Sequence, residues 1–149
     1  MKNSAKDIQK LREITGAGVM DCKKALGEAK GDFDAAMKLI REKGLEKVEK
    51  RAGRDTGAGL VHSYIHNERI GVLLELRAET DFVVRSDPFQ KLAHELIMQI
   101  AASAPAGVEE LLNQPYIKDE TRKVADIVNE VIAKVGENIR VNQFYRIEI

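Results

Sequence analysis

The chain is 149 residues long, 44% hydrophobic and 32% charged, which suits one globular domain or one domain with a small appendage. Its 24 Lys and Arg balance 24 Asp and Glu, so no global basic field favours nucleic acid, and no nucleic-acid partner is expected. One cysteine, Cys22, excludes an internal disulfide and fits a reducing, cytoplasmic setting; with no apolar run near the roughly 20 residues of a bilayer span and no signal-peptide core, no membrane partner is expected.

Charge is uneven along the chain. Residues 1–55 hold 14 Lys/Arg against 10 Asp/Glu, and residues 56–149 hold 10 against 14. Two units with different surfaces are expected. Ser4, three residues before Asp7, is a helix start, although a strict capping box wants Glu or Gln where Asp7 stands. Ile8, Leu11 and Ile14 then form one apolar face. Thr15-Gly16-Ala17-Gly18 breaks the helix. A second helix is expected over 19–29, ended by Gly31, and a third over 33–43, capped by Asp32 and stopped by Gly44. The third buries Phe33, Ala36, Met37 and Ile40. Such a three-helix core is small and marginal in stability.

Gly16-Ala17-Gly18 is not a nucleotide-binding turn. That fingerprint needs a strand before the first glycine and a third glycine where Asp21 stands. Here a helix comes first, so the glycines read as a helix–helix turn. With Val19, Cys22, Leu26 and Ala29 inward on the second helix, Met20 and Lys23 share another face. Two readings of that face stand: ordinary packing, or a partner surface suited to an adaptable Met beside a Lys. Residues 45–55 are rich in Lys, Glu and Arg and lack a sustained apolar stripe. They are expected as a charged linker, helical or extended, between a three-helix domain at 1–44 and a core at 56–149.

In the second unit, residues 60–65 and 70–78 alternate apolar and polar, and His66-Asn67-Glu68-Arg69 has the length and chemistry of a hairpin turn. Ile70, Val72, Leu74, Leu76 and Ala78 share a dry face; Glu75, Arg77 and Glu79 share a wet one. Asp87 is expected to cap a helix with Pro88 at its first position. Its inward face is Phe89, Leu92, Ala93, Leu96, Ile97 and Ile100. A last helix is expected over 119–135, ended by Gly136. A closing strand over 139–149 would put Ile139, Val141, Tyr145, Ile147 and Ile149 on one face. The sum is an α+β fold, an antiparallel sheet with helices on its dry face.

Between the second strand and its following helix lie Thr80, Asp81, Phe82 and Val83. Connections at element ends sit on the surface and often carry function, yet large apolar residues are usually buried. Either Phe82 and Val83 close the core, or the loop faces outward. Elsewhere, His62, His66 and His94 have no neighbours at triad spacing. The i, i+4 pair His62 and His66 falls on a strand and its turn, which makes a weak metal site. No enzyme activity, metal or cofactor is expected.

Three stretches carry a resemblance. Leu11-Arg12 with Thr15-Gly16-Ala17-Gly18-Val19-Met20-Asp21-Cys22-Lys23-Lys24-Ala25-Leu26 resembles the N-terminal signature of translation elongation factor Ts. Ala78-Glu79-Thr80-Asp81-Phe82-Val83 resembles that family's second signature, and Ile132-Ala133-Lys134-Val135-Gly136-Glu137-Asn138-Ile139 its third. The resemblance implies an α+β core behind a three-helix, ubiquitin-associated-like domain. It implies a guanine-nucleotide exchange factor that meets elongation factor Tu in its GDP-bound and nucleotide-free forms. It places Thr80, Asp81, Phe82 and Val83 at the partner's magnesium site, with Asp81 and Phe82 pointing out, and sets Met20 and Lys23 against the partner's GTPase domain. Long members have a duplicated core. Here the region between Ser103 and Pro115 is very short, so a second half-core and its helical insertion look absent. A homodimer is expected in compensation, with Ile147 and Ile149 on an apolar edge. The competing reading is a non-catalytic interaction module, ubiquitin-like or nascent-chain binding. It would explain residues 1–44 but not 80–83.

Overall fold

Ser4 starts the first helix in the computed structural model, which describes residues 4–149. The opening three residues of the expected 1–44 domain therefore lie outside the described residues. Two units are present, the first ending at Lys50 and the second running Arg51–Ile149. In helix α1 (Ala5–Thr15), the Ser4 hydroxyl accepts from the Asp7 N–H at 3.1 Å, and the Asp7 carboxylate accepts from the Ser4 N–H at 3.2 Å. Asp7 thus closes the capping box that normally takes Glu or Gln. The Ser4 hydrogen bonds hold its carboxyl below the usual range. Gly16, at φ 69°, ends α1 in the left-handed conformation that glycine adopts without penalty.

Helices α2 (Val19–Glu28) and α3 (Phe33–Arg51) complete the first unit. Its buried core is Leu11, Cys22, Ala25, Leu26 and Ala36, with Ile8, Phe33, Met37 and Ile40 packed partly against it. Two expected core residues are not there: Ile14 is 55% exposed and Val19 48%. Each short helix offers the others only a narrow stripe, centred on Leu11 in α1 and on Cys22 and Leu26 in α2. Gly44 does not stop α3, which runs on to Arg51, so much of the expected linker is helix. An interior glycine costs only about 1 kcal/mol against alanine. Lys43 and Lys47, on either side of it, reach Glu28 and Asp21 on α2, each at 3.1 Å.

The second unit is α+β. Strands β1 (Ala58–His66) and β2 (Ile70–Ala78) form the expected hairpin. Its three-residue connection, Asn67 to Arg69, places Asn67 and Glu68 at φ 49° and 57°, and the Arg69 N–H donates to the His66 carbonyl at 3.0 Å to close the turn. Then come α4 (Asp81–Val84), α5 (Asp87–Ser103), α6 (Val108–Asn113), the short pair β3 (Pro115–Tyr116) and β4 (Asp119–Lys123), α7 (Val124–Val135) and β5 (Ile139–Glu148). The main sheet is antiparallel in the order β1-β2-β5. Helix α5 packs on β2, and Phe89, Leu96, Ile97 and Ile100 of α5 and Val72, Leu74 and Leu76 of β2 are all buried. No helix among the described residues is long and apolar enough to cross a membrane.

Three local expectations shift. Ser86, not Asp87, precedes α5, so Pro88 is its second residue. Residues 119–123 are strand rather than helix, because the Val124 N–H is donated to the Gln114 carbonyl at 3.0 Å, closing the β3-β4 hairpin. The Asp126 carboxylate then accepts from the Lys123 N–H at 2.8 Å and starts α7 one residue later.

The third shift is in β5. Its pairing with β2 slips between Glu75 and Leu76: Val141 faces Leu76, but Gln143 faces Glu75, leaving Asn142 as an extra residue. Such a bulge reverses the in-out phase of everything beyond it. Ile139 and Val141 point into the core as expected, but Tyr145 and Ile147 are 64% and 72% exposed. Glu75 fastens the bulge by accepting from Asn142 at 2.6 Å, Gln143 at 2.9 Å and Arg77 at 2.6 Å. Arg77 first, then Gln143, holds the Glu75 carboxyl below the usual range. Arg146 takes the inward phase instead, donating to the Ala101 carbonyl at 3.0 Å near the end of α5, where a cation is favoured.

Candidate functional site

Glu79, Thr80 and the four residues of α4 connect β2 to α5. A four-residue helix has no stability of its own, since nucleation alone is unfavourable. Tertiary contacts hold it. Val83 and Val84 are buried at 5% and 7% exposure and root it in the core. At its end the Ser86 hydroxyl donates to the Val83 carbonyl at 2.6 Å, and the Gln90 amide donates to the Val84 carbonyl at 2.7 Å. At its start Thr80 is extended, at φ −131° and ψ 153°, and its hydroxyl accepts from the Val83 N–H at 3.4 Å.

With Val83 and Val84 inward, the helical turn carries Phe82 to the opposite side. Phe82 is 85% exposed, the most exposed of the large apolar side chains described. A shallow depression beside it is lined by Arg85 and Ser86. Asp81 is exposed, and its carboxylate joins no ion pair or hydrogen bond among the described residues. Of the two readings of this stretch, the outward one holds for Asp81 and Phe82 and the inward one for Val83. A ring left in water forgoes about 1.5–3 kcal/mol of burial. Here it sits next to an unpaired carboxylate on a turn rooted by Val83 and Val84, an arrangement that presents an apolar ring and a charge together.

The turn after α7 holds the start of α4. The Glu137 carboxylate accepts from the Thr80 N–H at 2.9 Å and from its hydroxyl at 2.8 Å. In return the Asn138 N–H donates to Glu79 at 2.8 Å, and the Asn138 amide donates to the Arg54 carbonyl at 3.0 Å. Asn138 is 5% exposed. Sequence reasoning named these residues only as part of a signature. The one local signal was their position straight after Gly136, whose φ of 77° ends α7.

In the first unit, Met20 and Lys23 are three residues apart on α2, neighbours on its surface. Met20 is 61% exposed and Lys23 is exposed. Core packing therefore does not account for Met20. Asp21 between them is committed to Lys47, and Cys22 is buried, its thiol pushed up by desolvation. A third surface departs from the wet face expected around Glu75 and Arg77. The face of the sheet turned away from α5 carries Val61 and Ile65 of β1, Leu73 of β2, and Tyr145 and Ile147 of β5, all exposed. Leu73 lies opposite Tyr145, while Gly71 lies between Ile65 and Ile147. Apolar surface was expected along an edge at Ile147 and Ile149. The bulge places Ile147 on this face instead, whereas Ile149 is tied at the end of the sheet by its N–H to the Arg69 carbonyl at 2.9 Å.

The family model described as Elongation factor TS matches residues 79–149, which include both α4 and the Glu137 turn. The chain is 43% identical to the elongation factor Ts of Thermotoga maritima over 186 aligned positions, covering 95% of this chain and 94% of that protein. With the Moorella thermoacetica protein of the same name it is 43% identical over 192 positions, covering 98% and 95%; with that of Fervidobacterium nodosum, 40% over 195 positions, covering 100% and 99%. Each alignment is longer than the 149 residues of this chain, so tens of positions in those relatives have no residue opposite them here. Identity at this level along nearly the full length of both partners places the chain in the elongation factor Ts family, a family of translation elongation factors.

Proposed function

We propose that this chain is a guanine-nucleotide exchange factor for elongation factor Tu in the cytoplasm, and that it works by displacing GDP without making or breaking a covalent bond. The observation that carries the reading is Phe82, 85% exposed on a helix whose other side is buried. An exchange factor must bind the nucleotide-free GTPase more tightly than the GDP-bound one, and by linkage it then weakens GDP affinity by the same factor. Magnesium bridges phosphate oxygens and protein ligands in such sites. Phe82 wedges between side chains of the partner and shifts the elements that hold the ion. Asp81 brings a carboxylate that competes for the ion's ligands or their hydrogen bonds. Thr80 and Val83 shape and root the loop. Met20 and Lys23 dock on the GTPase domain.

The test is the rate of GDP release from elongation factor Tu, with and without the chain. Acceleration that falls in Asp81→Ala, and falls less once magnesium has been chelated, supports this mechanism. A chain that binds without accelerating release is an interaction module instead.

The same proposal includes a homodimer. Val61, Ile65, Leu73, Tyr145 and Ile147 form one exposed patch, and a patch that meets its own copy across a two-fold axis needs no second complementary surface. Light scattering at micromolar concentration should give twice the chain mass, and Leu73→Lys should halve it. A monomeric mass for the unaltered chain removes the dimer from the proposal.

A further inference from the structure

We propose that Glu137 is a positioning residue for Phe82: its carboxylate, on the turn between α7 and β5, fixes the start of α4 and thereby the direction in which Phe82 is presented. The inference rests on the exchange reading above and adds to it a residue outside the 80–83 stretch. The argument begins with what α4 lacks. Four residues cannot nucleate a helix alone, and the cap supplied by Thr80 to the Val83 N–H is long at 3.4 Å. The end of α4 is tied to its own neighbours, Ser86 and Gln90. The start is tied to a distant turn, with Glu137 taking both donors of Thr80 at 2.9 and 2.8 Å.

Two donors on two oxygens fix an orientation as well as a distance. One bond leaves a residue free to swing about it; two parallel bonds to a carboxylate do not. The geometry also polarises the cap. The Thr80 hydroxyl gives its proton to Glu137, which leaves its lone pairs toward Val83. Glu137 is held in turn, because its neighbour Asn138 is buried and bound to Glu79 and Arg54. The two turns are therefore clasped in both directions: Glu137 accepts from Thr80, and Glu79 accepts from Asn138. Phe82 follows Thr80 by two residues, so a rotation at Thr80 moves the ring directly. Loss of the clasp leaves Val83 and Val84 in the core but frees the start of the turn.

Full-length Glu137→Ala and Glu137→Gln chains test this. The amide of Gln keeps an acceptor for the Thr80 N–H and can donate to the hydroxyl, so it should rescue. Glu137→Ala should slow GDP release at saturating factor about tenfold, less than the roughly hundredfold that a 1 Å misplacement can cost, because Val83 and Val84 still root the turn. The concentration for half-maximal effect should change less than about twofold, since uniform binding is not what was removed. Its melting temperature should stay close to that of the unaltered chain. Amide hydrogen exchange at Val83 and Val84 should quicken in Glu137→Ala and remain slow in Glu137→Gln. This arm needs no partner. If the unaltered chain does not accelerate GDP release, the exchange reading fails, while hydrogen exchange still decides whether Glu137 orders α4. Unchanged hydrogen exchange in Glu137→Ala overturns the inference. So does unchanged GDP release by Glu137→Ala when the unaltered chain is active, or a loss that only tracks the fraction of unfolded protein.

Discussion

Met20 and Phe82 are both large apolar side chains left in water, yet opposite kinds of structure hold them there. Met20 stands on α2, a ten-residue helix whose inward residues Cys22, Ala25 and Leu26 fill a core of five buried side chains. Its exposure follows from helical periodicity alone. Phe82 stands on a four-residue turn that exists because Val83 and Val84 are buried, Ser86 and Gln90 hold its end, and Glu137 holds its start. The first surface depends on a small core, the second on a few hydrogen bonds around a large one. The two should therefore fail differently, the first by melting and the second by losing aim while the fold persists.

The largest effect expected from this contrast is in stability. Leu26→Ala removes a side chain that is 1% exposed in the small unit, and should cost about 2–5 kcal/mol. Hydrogen exchange should quicken throughout the first unit while β2 and α5 keep their protection; uniform quickening across both units would erase the contrast. Phe82→Ala comes next. Truncation of a central aromatic anchor costs about 2 kcal/mol, roughly thirtyfold in GDP release, with little change in melting temperature because surface substitutions stay within about 0.5 kcal/mol. Unfolding by Phe82→Ala would show the ring to be a core residue. Met20→Ala should be milder, about 1 kcal/mol or roughly fivefold in affinity for elongation factor Tu, measured by titration calorimetry. An equal loss in both variants would mean that the two surfaces act alike.

The smallest effect sharpens the comparison through pH. Glu75 holds the bulge with three donors, and its carboxyl lies below its ordinary value of 4.5. A carboxyl depressed on folding contributes stability above its unfolded value and loses it as pH falls through the folded one. Chemical denaturation should therefore find the unaltered chain more stable than Glu75→Gln at pH 7, with the difference shrinking below about 4.5. A constant difference down to pH 3 would detach the charge of Glu75 from the bulge.

Local chemistry determined much of this protein. Ser4 with Asp7 starts α1, Gly16 ends it, and Asn67 lies in the turn of the β1-β2 hairpin. The inward face of α5 follows its helical spacing, and three signature stretches pointed to the family the chain belongs to. Each of these signals acts within a few residues, which is why it can be read without a fold. Only the tertiary structure decided the rest. It carried α3 through Gly44, where Lys43 and Lys47 find partners on α2. It reversed β5 at Asn142, which meets Glu75 from 67 residues away, and so turned Tyr145 and Ile147 outward. It rooted Val83 while freeing Phe82, and it brought Glu137 to Thr80 across 57 residues. A strand's phase is set by its partner's register, and a single turn of helix is set by what holds its two ends; neither is a property of the residues in it.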